Sequence, residues 1–234
     1  PILAVIRELK RIAEEERILD LELFYMGPDD FGKEILAEED VRVIRVSSGK
    51  MRRYFSWLNF IDIFRTVLGI LQATWRLFFL LPDAVFSKGG YGAIPAVCAA
   101  ALFRIPLLIH ESDAVPGKVN QFSARFAVRI ALSFAGAGTF FPKEKTALVG
   151  VPIRKRILGG NREEAKENLG IFSALPVLGI IGASQGAKPI NETVLDILKE
   201  LSEEFEILHQ TGANNLENVK NEAAVILGSD KKDR

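Results

Sequence analysis

With 234 residues, 48% hydrophobic side chains and no net charge, the chain has the apolar content of a folded protein of one large or two modest domains, which excludes a disordered polyelectrolyte. A single cysteine, Cys98, excludes a disulfide framework within the chain and makes a reducing compartment the default reading; with only two histidines, His110 and His209, no zinc-ligand cluster is available. The zero sum hides a segregation, because residues 41–160 hold 17 basic and 5 acidic side chains, a net of +12, between acidic flanks, a pattern suited to a phosphate ligand or an anionic membrane surface.

In chain order, the spacing of Ile2, Leu3, Val5, Ile6 and Leu9 predicts a helix over Pro1–Glu16. A strand is expected over Leu21–Met26, a short helix over Phe31–Glu38 and a second strand over Val41–Val46. The most apolar stretch, Tyr54–Leu81, carries Asp62, Arg65 and Arg76, and its longest charge-free run, Thr66–Trp75, is half of what a spanning helix needs. It reads as a buried or interfacial helix. Alternation continues with strand Ala84–Ser87, helix Ile94–Phe103, strand Pro106–Glu111, helix Val119–Phe126, strand Val128–Phe134 and strand Thr146–Val149. Beyond Gly150-Val151-Pro152 it restarts: helix Arg162–Leu169, strand Pro176–Ile181, helix Pro189–Glu203, strand Glu206–Gln210, helix Asn215–Glu222 and strand Ala224–Leu227. Strands alternating with helices imply parallel sheets, and short apolar strands such as Leu107–His110 and Val177–Ile181 suggest burial on both faces. Pro152 and Gly159-Gly160 suggest a boundary between a domain over residues 1–152 and one over 153–234.

Three segments put glycine or small polar groups between a strand and a helix, where doubly wound sheets bind ligands and helix N-termini favour phosphate. The first is Ser87-Lys88-Gly89-Gly90-Tyr91-Gly92, in which glycine lets an anion approach the amides and Lys88 adds a charge. Taken alone it is equally an ordinary strand–helix turn. The second, His110-Glu111-Ser112-Asp113 followed by Pro116-Gly117 and Asn120, delivers four polar groups to the end of a buried strand, where they need partners or a ligand. A hydrogen-bonded His-Glu pair of purely structural purpose is the plainer alternative. The third, Gly182-Ala183-Ser184-Gln185-Gly186-Ala187-Lys188, lacks the spacing of a Walker loop and does not spell G-x-G-x-x-G. It suits a diphosphate held without a magnesium-centred site.

Together these segments resemble the MurG family of glycosyltransferases over nearly the whole chain. The matching features are the Gly-Gly-Tyr loop, His-Glu-x-Asp with Pro-Gly and Asn after it, Gly-x-Pro-x-Arg at Gly150–Arg154, and Ser184-Gln185-Gly186-Ala187 followed by Asn191. The resemblance implies an α/β fold of GT-B type, two Rossmann-like domains with parallel sheets, the second incomplete here. It implies transfer of N-acetylglucosamine from UDP-N-acetylglucosamine to an undecaprenyl-diphosphate-linked N-acetylmuramyl-pentapeptide in peptidoglycan synthesis, on the cytoplasmic face of the bacterial plasma membrane. Asp113, Arg154, Ser184, Gln185 and Gly186 then fall at donor-binding positions, and Gly89, Gly90, Tyr91 and Gly92 at the acceptor's diphosphate; His110, Glu111 and Asn120 support them. Val151 stands where the family often has Asn, and Asp113 where Asn is common; an ionised Asp accepts but cannot donate a hydrogen bond. The family's proposed catalytic histidine lies on a glycine loop before residue 1, so no catalytic residue is assigned and turnover by these 234 residues alone is not expected. No cofactor, metal or nucleic-acid partner is implied. A related transferase acting on diacylglycerol, and a non-catalytic nucleotide-binding or membrane-docking paralogue, are the alternatives.

Overall fold

The computed structural model describes residues 1–28, 32–50, 58–183 and 185–228. Its contacts divide the chain into two compact units, Pro1–Leu158 and Gly159–Arg234.

The first unit opens with α1 (Ile2–Glu15), whose apolar stripe packs Ile2, Leu3 and Ile6 against Leu36, Val41, Tyr25 and Val43. Arg11 reaches Glu8 and Glu15 on its outer face, at helical i,i+3 and i,i+4 spacing. Strand β1 (Phe24–Gly27) pairs in parallel with β2 (Arg42–Arg45) across α2 (Lys33–Glu38). The start of the predicted helix Phe31–Glu38 falls outside the described residues.

Helix α3 (Leu58–Leu80) follows; the predicted start at Tyr54, and Trp57, lie outside the described residues. Its inner stripe is Asp62, Gly69, Ala73 and Leu77, with the half-buried Thr66 filling the turn between the first two. A Cβ on Gly69 would lie 1.7 Å from the carbonyl oxygen of Ser47, so only glycine lets the helix settle on that segment. The remaining circumference is not core: Phe60, Phe64, Leu71, Trp75, Phe78 and Phe79 are all exposed. By length and mean hydropathy (1.3) residues 60–80 could cross a bilayer, but the inner stripe packs with Ala99 and Ala100 of the next helix.

A four-stranded parallel sheet completes the unit in the order β3 (Val85–Ser87), β4 (Leu107–Glu111), β5 (Arg129–Leu132), β6 (Thr146–Leu148). Helix α4 (Ile94–Leu102) links β3 to β4, and α5 (Lys118–Ser123) links β4 to β5. Leu107, Ile109, Ile130 and Leu132 join Val97, Ala124 and Phe141 in its core. Leu108, pointing the other way, is exposed while His110 on that same side is buried, so the expectation of burial on both faces fails in β4 at Leu108 only. It fails again at Ile181, which is 74% exposed.

In the second unit Asn161 caps α6 (Arg162–Asn168) by accepting from the amides of Glu163 (2.9 Å) and Glu164 (3.2 Å). Strand β7 (Val177–Ile181) pairs in parallel with β8 (Glu206–Gln210). The predicted helix Pro189–Glu203 is two helices, α7 (Lys188–Asp196) and α8 (Leu198–Glu204), because Ile197 leaves helical geometry at φ −116°. The predicted strand Ala224–Leu227 is helical, the end of α9 (Leu216–Leu227). Val219, Ala223 and Leu227 recur every four residues and pack on Val194, Leu195 and Leu198; that tertiary contact outweighs the β preference of Val225-Ile226.

Candidate functional site

The carboxyl ends of β3 and β4 lie side by side, with Ser87 opposite Ile109 in the ladder. Beyond Ser87 the chain turns through Gly89 (φ 80°) and Gly90 (φ 81°), a left-handed pair that side chains resist. Oγ of Ser87 accepts from the amide of Gly89 at 3.1 Å. A Cβ on Gly89 would lie 2.5 Å from Oδ1 of Asn120, so this glycine is required by space as well as by φ. Tyr91 and Gly92 begin a short 3-10 turn that leads into α4, with Pro95 in its first turn where no N–H is needed. Ser48 donates to the carbonyl of Tyr91 (2.7 Å), and the ammonium of Lys50 stands 5.9 Å from the centre of the tyrosine ring.

His110 and Glu111, consecutive at the end of β4, point to opposite sides of the strand and do not bond each other. The plainer reading of them as a His-Glu pair is therefore wrong. Glu111, 3% exposed, organises the loop after the strand. Its Oε1 accepts from the amide of Asp113 (2.9 Å); its Oε2 accepts from the amide of Gly117 (3.1 Å) and from Nδ2 of Asn120 (3.0 Å). Nδ2 also donates to the carbonyl of His110 (3.2 Å), which tethers α5 to β4 and leaves Oδ1 of Asn120 without a partner among the described residues. Asp113 is thereby presented at the surface on a loop held from beneath.

His110, 1% exposed, turns toward Lys88. Nε2 lies 3.1 Å from the carbonyl oxygen of Gly150, which can only accept, so this nitrogen carries the hydrogen and Nδ1 is an acceptor. Lys88 places its Nζ 2.8 Å from Nδ1 and also donates to Oγ of Ser112. Burial, then the charge of Lys88, pushes the histidine pKa down against the opposing Gly150 bond and Glu111 charge, which favours the neutral ring. Burial also lowers the pKa of Lys88, while Glu111 and Asp113 work in the other direction.

Gly150 (φ 79°) starts the segment that carries Arg154. Pro152, Ile153, Arg154 and Lys155 face Ala4, Glu8 and Ile12 of α1 across a groove of about 610 Å³. Lys155 pairs with Glu8 at 3.1 Å.

The third predicted loop belongs to the second unit. Ser184 lies outside the described residues; Gln185 is exposed. Gly186 (φ 72°) is pressed against the next loop: a Cβ there would lie 1.7 Å from the carbonyl oxygen of Thr211, and one on Gly212 would lie 2.0 Å from that of Gln185. Asn191 in α7, 2% exposed, donates to the same Thr211 carbonyl at 3.0 Å. Thr211 and Gly212 carry no signal in the sequence reading, nor does Ser133 beside His110, whereas Ser112 is one of the four polar groups noted after the strand. A lysine in an otherwise small-residue loop, one strand away from a histidine, was the available signal for the Lys88 seat. Among the described residues no three His, Cys, Asp or Glu side chains cluster as a metal site requires.

Residues 1–132 match the glycosyltransferase family 28 N-terminal domain, and residues 177–232 the glycosyltransferase family 28 C-terminal domain. Over 185 residues the chain is 43% identical to UDP-N-acetylglucosamine--N-acetylmuramyl-(pentapeptide) pyrophosphoryl-undecaprenol N-acetylglucosamine transferase 3 of Bacillus thuringiensis (strain Al Hakam), covering 79% of this chain and 53% of that protein. The transferase of the same name, without the number, from Legionella pneumophila (strain Lens) is 43% identical over 186 residues, 79% of this chain and 51% of that one. The chain thus spans about half the length of the curated relatives it matches. Among solved structures, Acinetobacter baumannii MurG aligns with a TM-score of 0.61 at 24% identity, over 97% of this chain and 59% of that chain. A Neisseria meningitidis UDP-GlcNAc 2-epimerase bound to UDP-GlcNAc aligns with a TM-score of 0.57 at 14% identity, over 89% of this chain and 61% of the other. These likenesses assign the two parallel α/β units to the GT-B type of fold, built from Rossmann-like domains.

Proposed function

The chain belongs to glycosyltransferase family 28, and from that premise we propose that it is part of an enzyme that moves N-acetylglucosamine from UDP-N-acetylglucosamine to undecaprenyl-diphosphate-linked N-acetylmuramyl-pentapeptide. The observation that most supports this reading is the pairing of two preorganised loops at the ends of neighbouring parallel strands. The turn after Gly89, whose own amide is held by Ser87, brings the backbone of Gly90, Tyr91 and Gly92 to the entry to α4, and the Glu111-held loop offers Asp113 beside it. Such an arrangement suits a reaction in which an acceptor hydroxyl displaces UDP, where the protein's part is to orient two substrates and stabilise a leaving diphosphate. Asp113, Arg154, Ser184, Gln185 and Gly186 are assigned to the donor, and Gly89, Gly90, Tyr91 and Gly92 to the acceptor's diphosphate, with His110, Glu111 and Asn120 in support. The acceptor is a lipid, so the same reading puts the protein on the cytoplasmic face of the bacterial plasma membrane, docked through the exposed face of α3, which belongs to a stretch of sequence, residues 41–90, rich in basic residues.

The test is a transfer assay on the full-length protein with radiolabelled UDP-N-acetylglucosamine, offering the lipid-linked muramyl-peptide and diacylglycerol as separate acceptors. Product from the first alone is expected; product from the second, or from neither, sinks the assignment. In the same assay Arg154→Ala should raise the donor KM several-fold, the order of magnitude of a charge-assisted hydrogen bond. An unchanged donor KM and kcat would remove Arg154 from the donor site.

A further inference from the structure

The glycine loop carries one cation whose placement neither the turn nor the packing explains. Lys88 is part-buried and its ammonium is pinned, with one N–H directed at Nδ1 of His110 (2.8 Å) and another at Oγ of Ser112. A solvated lysine on a loop gains little from such a seat, since ordering its four-carbon stem costs on the order of 1.5–2 kcal/mol of rotamer entropy. The seat is itself built. His110 can accept from Lys88 only because Nε2 gives its hydrogen to the Gly150 carbonyl, with Oγ of Ser133 3.4 Å from the same nitrogen. Two of the three ammonium N–H groups are thus committed, and the third has no partner among the described residues and can meet a ligand. Next to it lie the left-handed Gly89 and Gly90, with Oδ1 of Asn120 buried, unpartnered and directed at Gly89. Of the carboxylates close to Lys88, Glu111 is occupied by three N–H donors and Asp113 is exposed.

We propose that Lys88 is a specificity-determining residue of the glycine loop, giving its remaining N–H to the acceptor's diphosphate, and that His110 is a positioning residue whose effect on the acceptor runs through Lys88. The proposal rests on the transferase reading for the identity of the anion, not for the existence of the seat. It separates two roles at the end of β4: Glu111 shapes the loop that presents Asp113, and His110 aims a cation from the adjacent strand. It also makes the Gly150 carbonyl, at the start of the Arg154 segment, the group that sets the tautomer on which the aim depends.

The experiment uses the full-length protein with Lys88→Met, which keeps length and removes the charge, and with Ser112→Ala and His110→Ala. Lys88→Met should raise the acceptor KM on the order of tenfold with the donor KM unchanged. Ser112→Ala should raise it several-fold. In the Lys88→Met background His110→Ala should add nothing to the acceptor KM, although a purely structural histidine would add its full effect there. If His110→Ala does not fold, the Lys88 and Ser112 variants carry the test. Calorimetric titration with inorganic pyrophosphate is the second arm, with weaker binding expected for Lys88→Met than for wild type. Equal rises in donor and acceptor KM, or an unchanged acceptor KM, overturn the proposal. Should no transfer occur at all, the proposed reaction falls while pyrophosphate still decides Lys88; equal binding to both proteins, or binding to neither, then overturns it.

Discussion

Nδ2 of Asn120 in α5 donates to Oε2 of Glu111 in β4 at 3.0 Å, and both side chains are sealed from solvent. The pair joins strand, loop and helix through one carboxylate that also accepts two backbone amides. Glu111→Gln should therefore be far from conservative. The new NH2 group would face the donors of Asn120 and Gly117 or of Asp113, leaving at least one buried N–H without an acceptor. The expected loss is about 2–3 kcal/mol of stability, read as a shift in the urea midpoint at unchanged m-value, together with weaker UDP-N-acetylglucosamine binding. A midpoint within error of wild type would show that the loop does not depend on Glu111.

Gly89 and Gly117 lie at the two loops but should respond in opposite ways. Gly89→Ala places a Cβ 2.5 Å from Asn120 Oδ1 at a φ of 80°, so about 2 kcal/mol or more should be lost, together with acceptor turnover. Gly117 is extended at φ −67° with open space around it; Gly117→Ala should lie within about 1 kcal/mol of wild type, on the stabilising side. Thermal melts of the two single variants check this, and equal shifts would refute it.

Acid should weaken the protein through its histidines. Burial lowers the pKa of both His110 and His209 below the ordinary 6.5. The unfolded chain takes up protons as the pH falls through 6.5 while the folded chain resists, so their contribution is present above that value and is lost below it. Lys88 and Glu111 face His110 with opposite signs, whereas the space around His209 is lined by Val194, Leu195, Leu198 and Ile207 together with Thr211 and one cation, Lys220. His209→Leu should accordingly flatten the fall in urea midpoint between about pH 7.5 and pH 5.5. A slope as steep as that of wild type would mean that other groups carry it.

Trp75 and Phe79 form an edge-to-face pair 4.8 Å apart on the outer face of α3, each about two-thirds exposed. Replacing both with alanine should leave stability within about 0.5 kcal/mol per site. Binding of the full-length protein to anionic vesicles, measured by co-sedimentation, should weaken about tenfold or more, because each ring contributes on the order of 1.5 kcal/mol when it leaves water. Added salt should weaken the wild-type interaction and neutral vesicles should bind less. Undiminished binding by the double variant would show that this face is not the docking surface.

Composition and period alone determined the class of the protein, since strands and helices alternate at spacings that only a parallel α/β architecture accommodates. They also located the glycine loops, because left-handed turns at Gly89, Gly90 and Gly186 have few residue types to choose from. Pattern failed where two structures share one apolar run. Ala224–Leu227 is equally suited to strand or helix, and the cluster around Val194 and Leu198 decided for helix. Pattern was also blind to which face of α3 is covered, because Ala73 and Trp75 are both apolar and only the packing of α4 and Ser47 leaves one buried and the other in solvent. The pairing of Lys88 with His110, and the divergence of His110 from Glu111, were decided by tertiary structure alone. Hydrogen bonds across 22 and 40 residues of sequence depend on strand register and on where the Gly150 carbonyl comes to rest, and no local periodicity encodes either.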